Sequence, residues 1–81
     1  MNESIVQIDV HNMTLMQARV AIDAALRRSK MAYRIRVIHG YRGGTVLRDG
    51  IRKEYAKHPK VKRIELGLNP GETDLVLREF I

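Results

Sequence analysis

SIVQIDVHNMTLMQARVAIDAALRRS, residues 4–29, carries the reading on which the fold depends. Its first part alternates. Val6, Ile8 and Val10 share one face while Gln7, Asp9 and His11 share the other, the period of two expected of a strand with one side near water. Residues 4–10 are therefore expected as a strand. The period then changes. Leu15, Ala18, Ile22, Ala25 and Leu26 recur at helical spacing. Thr14 followed three residues later by Gln17 has the form of a capping box, in which each side chain satisfies the other residue's free backbone N–H. A helix over residues 14–29 follows, with Arg27, Arg28 and Lys30 at the negative end of its dipole.

The rest of the chain repeats this alternation of periods. YRIRVIH, residues 33–39, reads as a second strand with Arg34 and Arg36 on its polar side. Glycine and proline break the chain at HGYRGG (39–44), HP (58–59) and NPGE (69–72). Thr45 can cap a second helix whose Leu47, Ile51 and Tyr55 face the core, and His58-Pro59 ends it. Gly50 inside that helix costs up to about 1 kcal/mol, which points to a close approach by another element. Residues 61–68 read as a third strand, with Ile64, Leu66 and Leu68 on one face, and residues 74–80 as a fourth returning antiparallel to it. The order is β-α-β-α-β-β. Right-handed crossovers put both helices on one face of the sheet if successive strands step in one direction. Polar alternation in the first two strands leaves the other face open, whereas a doubly wound sheet would want continuous apolar strands. The expected fold is an α/β two-layer sandwich with a four-stranded mixed sheet, one domain over residues 1–81.

Composition narrows the function. The chain has 81 residues and no cysteine, which excludes a disulfide framework, a zinc ribbon and thiol catalysis. No run approaches the roughly 20 apolar residues of a membrane span. The N-terminus lacks the basic-then-apolar pattern of a secretory signal, so a cytoplasmic setting and no membrane partner are expected. Fifteen Lys and Arg against nine Asp and Glu give +6. The excess is concentrated: between Arg27 and Arg63 there are 13 basic residues and two acids, Asp49 and Glu54. A net +11 over that stretch points to a polyanion, and nucleic acid is the common one.

Parallel strands that each run into a helix bring their C-terminal ends to one rim, where ligands of open α/β sheets bind. Here the rim would present Asp9 and His11 from the first strand and the loop 39–45 from the second. Asp9 and His11 are two apart on a strand and point the same way, so the carboxylate can orient the imidazole or share a metal with it. Gly40, Gly43 and Gly44 permit close backbone approach, Arg42 offers a bidentate phosphate contact, and Thr45 opens a helix whose free N–H groups favour anions. Arg48 lies one turn into that helix. No Walker-type GxxxxGK is present. His58, before a proline at a helix C-terminus, is read as a partner of the helix dipole.

These residues match a known pattern. Ile8-Asp9-Val10-His11-Asn12 resembles the LDLHG motif of the Smr (small MutS-related) domain, and His39-Gly40, Gly43-Gly44-Thr45 and Leu47-Arg48 resemble its HGxGxG…LR motif. The resemblance runs from the first strand through Val76, as in a stand-alone Smr protein. It implies a fold similar to the C-terminal domain of translation initiation factor 3 and nucleic-acid binding. In many members it also implies endonuclease activity that nicks DNA or cleaves RNA, for some at stalled ribosomes. Carried over by position, Asp9 and His11 match the Asp and His of the first motif, and His39, Gly40 and Gly44 match the His and two glycines of the second. Asn12 replaces a glycine, and Asn tolerates the left-handed conformation better than most residues. Arg42 stands where a middle glycine is usual, in a loop one residue longer.

The expectation is an RNA or DNA endonuclease with Asp9, His11 and His39 as catalytic groups and His39 as general acid or base. Phosphate contacts would come from Gly40, Arg42, Gly43, Gly44, Thr45 and Arg48, and from a basic face of Arg34 and Arg36 joined by Arg52 and Lys53. A metal-free route would use a ribose 2′-OH and need RNA; a route through Mg2+ or Mn2+ would open DNA as well. The alternative is a non-catalytic RNA- or DNA-binding module, with the ribosome as a candidate partner. A small-molecule phosphate enzyme is the third reading, and four aromatic residues offer little to line its pocket. The chain is expected as a monomer or weak dimer.

Overall fold

The computed structural model describes residues 5–40, 45–67 and 69–78. Six elements follow the expected order: β1 (Ile5–Asp9), α1 (Leu15–Arg28), β2 (Arg34–Ile38), α2 (Val46–Tyr55), β3 (Arg63–Glu65) and β4 (Glu72–Val76). The capping box forms in full. Gln17 N–H donates to Thr14 Oγ1 at 3.1 Å, and Thr14 N–H donates to Gln17 Oε1 at 3.0 Å. Caps of this kind stabilise a helix by about 1 kcal/mol.

The strands run in the order β1-β2-β4-β3, with β1 parallel to β2 and β4 antiparallel to both of its neighbours. Chain order is thus not sheet order: the last strand lies inside the sheet. The fourth strand begins two residues earlier than expected, directly after a turn closed by Glu72 N–H to Asn69 C=O at 3.2 Å. The third strand keeps only three residues, and Leu66 is exposed instead of sharing a buried face with Ile64.

Val10, Ile35, Val37 and Leu75 pack with Ala18, Ile22, Ala25 and Leu26 of α1 and with Ile51 and Tyr55 of α2. Both helices therefore cover one face of the sheet, and among the described elements none covers the other, as the polar alternation requires. Gly50 answers to its expected use, because a Cβ there would come within 2.6 Å of Leu15 Cδ2. The glycine lets the middle of α2 close against the first turn of α1.

Candidate nucleic-acid interface

Asp9 pairs with Ile38 across the β1–β2 ladder, and Val10 N–H donates to Ile38 C=O at 2.9 Å. The C-terminal ends of the two parallel strands are therefore neighbours. Just beyond them Asn12 adopts φ 67°, the left-handed conformation that a glycine would take without strain. Gly40 has φ 77°, and a Cβ on it would lie 3.6 Å from His11 Cβ. Two segments nearly thirty positions apart thus touch at one rim.

Asp9 Oδ1 accepts two bonds from His11, one from its backbone N–H at 3.1 Å and one from ring Nδ1. An ionised carboxylate only accepts, so Nδ1 carries the proton and Nε2 is left as the unbonded ring nitrogen. The hydrogen bond from the imidazole holds the Asp9 carboxyl below the usual carboxylate range. Both side chains are about half exposed, 52% for Asp9 and 56% for His11. The pair can orient an imidazole and present its basic nitrogen to solvent.

His39 behaves differently. Alternation along β2 turns it to the helix side with Ile35 and Val37, and it is 5% exposed. Its Nδ1 meets Gly40 C=O at 2.8 Å and its Nε2 meets Thr73 Oγ1 at 2.8 Å, while Arg52 Nε–H donates to the same hydroxyl at 2.8 Å. A carbonyl only accepts and a guanidinium only donates, so with a neutral imidazole every proton in this chain is assigned. His39 Nδ1–H points to Gly40, and the Thr73 hydroxyl donates to His39 Nε2 and accepts from Arg52. Burial pushes the His39 pKa below its ordinary value; the Gly40 bond opposes this and the cations Arg52 and Arg48 add to it. The ring is neutral with both nitrogens engaged, on the opposite face of the sheet from Asp9. The structure therefore brings Asp9, His11 and Gly40 together, and it turns the His39 ring to the face away from Asp9 while tying it to the Gly40 carbonyl. Thr73 and Arg52 hold that ring, and nothing in the polar run Glu72-Thr73-Asp74 marks the threonine for this role.

Arg34 and Arg36 lie on the open face, as alternation requires, but they are not free there. Asp74 Oδ2 takes Arg34 Nη1 at 2.7 Å, and both Asp74 oxygens take Arg36 in a bidentate clamp at 2.9 and 3.0 Å. Glu65 holds Arg34 Nη2 at 2.9 Å and also pairs with Arg63, and Glu72 lies 3.8 Å from Arg36. Burial works against the charged form of Asp74, and the two guanidinium groups outweigh it, so its carboxyl sits below the usual range. Three guanidinium groups meet three carboxylates, and this face carries almost no net charge. Those carboxylates come from residues 64–81, outside the basic stretch, which is why charge counted along the chain overstated the charge of the face.

At the start of α2, Thr45 occupies the N-cap position without a side-chain cap bond. Arg48 donates to Asp49 at 3.0 Å; this bond, and then one from Thr45, hold the Asp49 carboxyl low. Arg42, Gly43 and Gly44 lie outside the described residues. Among the described residues no three His, Asp or Glu side chains gather as metal ligands, and Asp9 Oδ1 is already committed to His11. Asp9 and His11 alone do not make a complete protein ligand set for a divalent ion.

The model of the Smr domain family matches residues 8–73, from the residue before Asp9 through Thr73. The chain belongs to the Smr domain family. Among solved structures it is similar to the crystal structure of the Smr domain of Thermus thermophilus MutS2, with a TM-score of 0.81, 25% identity, and coverage of 91% of this chain and 99% of that one. A search of curated proteins returns no match. Smr domains are in general nucleic-acid-binding, nuclease-type modules. Among the described residues of this Smr domain, no helix is long and apolar enough to cross a membrane.

Proposed function

We propose that this Smr domain is an endonuclease whose preferred substrate is RNA, with His11 as the proton-transfer group and Asp9 as the residue that fixes its tautomer. The observation that supports this is the exposed Asp9–His11 pair, which leaves Nε2 open beside the loop that begins at Gly40. In the reaction Nε2 takes the proton of a ribose 2′-OH, O2′ attacks phosphorus, and the P–O5′ bond breaks. The protonated imidazole then returns a proton to the leaving 5′-oxygen, so that the base of one step is the acid of the next. His39 acts as a positioning residue that anchors the Gly40 carbonyl.

The test uses labelled RNA and DNA of one sequence. His11→Ala and Asp9→Asn should reduce RNA cleavage by about 10²–10⁴-fold while leaving binding within threefold. One 2′-deoxy substitution at the cut site should block cleavage, and EDTA should not. Cleavage of DNA, or loss of activity in EDTA, would refute the 2′-OH route. The non-catalytic reading is favoured by the bonding of both His39 nitrogens, and it predicts binding without any cleavage. An RNA substrate keeps the ribosome among the candidate partners.

A further inference from the structure

The neutralised sheet face leaves open where the excess positive charge resides. Among the described residues Arg27, Lys53, Lys57 and Lys60 have no carboxylate partner, and none lies on the open face of the sheet. They border two adjoining grooves along the seam between α1 and α2. The first runs from Leu15 and Gly50 past Lys53 and Lys57 to His58, and the second from His58 to Lys60 and Arg27. The two acids beside them are already engaged: Glu54 pairs with Arg19 at 3.3 Å, and Asp23 accepts the Tyr55 hydroxyl at 2.7 Å.

His58, shared by both grooves, is held in a defined state. Its ring stacks on Tyr55 with centroids 5.5 Å apart, and its Nδ1 accepts the Lys60 backbone N–H at 3.0 Å. The remaining nitrogen, Nε2, therefore carries the proton and is a donor available to an acceptor oxygen. Cations along a groove with a fixed N–H donor between them suit a phosphate backbone. The seam starts at Leu15, the first residue of α1, beside Gly50 in the middle of α2, and follows the second half of α2 for about 8 Å, the axial rise of about two nucleotides of duplex, before it passes Lys57 and His58 beyond the helix.

We propose that the α1–α2 seam is a second backbone-contact surface, on which the nucleic acid held at the rim continues past Lys53, Lys57 and His58 to Lys60 and Arg27. This rests on the nucleic-acid reading above. It predicts that affinity grows with length until the strand reaches the far end of α2.

The test measures fluorescence anisotropy of labelled RNAs of about 6 and 20 nucleotides against the whole protein, at 0.05–0.2 M NaCl. Lys53→Gln/Lys57→Gln/Lys60→Gln should weaken binding of the longer RNA at least tenfold. It should also make the log–log salt slope shallower by about 2, near 0.7–0.9 per lost phosphate contact, and change the short RNA little. Arg28→Gln/Lys30→Gln/Lys62→Gln removes the same charge outside the grooves and should cost less than threefold. Circular dichroism confirms that both variants are folded. Equal losses in the two triples would reduce the effect to net charge and overturn the seam, as would unchanged binding in the first triple. Wild-type protein that binds no nucleic acid, or that binds polyglutamate in preference to RNA, would instead overturn the nucleic-acid reading itself.

Discussion

Replacing Thr73 by valine removes one oxygen and almost no volume, yet two groups lose their partner. His39 Nε2 loses its donor and Arg52 Nε–H loses its acceptor, each from a bond of 2.8 Å. An unsatisfied buried polar group costs about 1–3 kcal/mol. Thr73 is fully buried and His39 is 5% exposed, whereas Arg52 is half-buried and regains part of its loss from water. The sum is about 2–3 kcal/mol. In a domain of this size 1 kcal/mol moves the melting temperature by about 4–8 °C, so Thr73→Val should melt about 10–20 °C lower, read by the helical signal in circular dichroism near pH 7.5. Thr73→Ser keeps the hydroxyl and gives up one methyl group, a loss of about 1 kcal/mol. A Thr73→Val protein that melts within about 4 °C of wild type would refute the assigned hydrogen-bond chain. So would a serine variant that falls as far as the valine.

Three further outcomes follow from the same geometry. Because burial holds His39 below its ordinary value of 6.5, the unfolded chain takes up that proton first. Stability should then rise with pH between the folded value and about 6.5 and level off above; melts across that range report it, and His39→Gln should remove this component. At Asn12, where φ is 67°, glycine should be neutral and valine should cost about 1–2 kcal/mol, measured by urea unfolding. Asp74→Asn leaves two guanidinium groups facing a neutral amide and should lower stability by about 3 kcal/mol, seen as a fall in the denaturation midpoint at unchanged slope.

Element type was legible wherever the apolar period was clean. The switch from period two at Val6-Ile8-Val10 to helical spacing after Thr14 located β1, the cap and α1, and the β-α-β-α-β-β order followed. Strand order was not legible. Glu72-Thr73-Asp74 is too polar for an interior strand by propensity alone; it lies between β2 and β3 because each polar side chain has a fixed partner there. Asp74 meets two arginines and Thr73 meets His39, and such pairings between distant segments leave no local trace.

The site divides the same way. Asp9 and His11 were visible as a strand-end pair because only two residues separate them. That His39 would face inward follows from counting alternation from Ile35, but its engagement at both nitrogens depends on Thr73, thirty-four positions later. The pairing of the arginines was hidden for a related reason. Charge summed by sequence window cannot anticipate that an acidic segment folds across a basic strand.

That cancellation gives the molecule two populations of cations with separate duties. Arg34 and Arg36 are held at short distance by an almost fully buried carboxylate, where dissolved salt screens poorly, whereas the lysines flanking the helices stand in solvent and are screened within about 10 Å at 0.1 M. Raising ionic strength should therefore strip a polyanion from the surface long before it loosens the fold. Attachment becomes adjustable by its surroundings while the architecture does not.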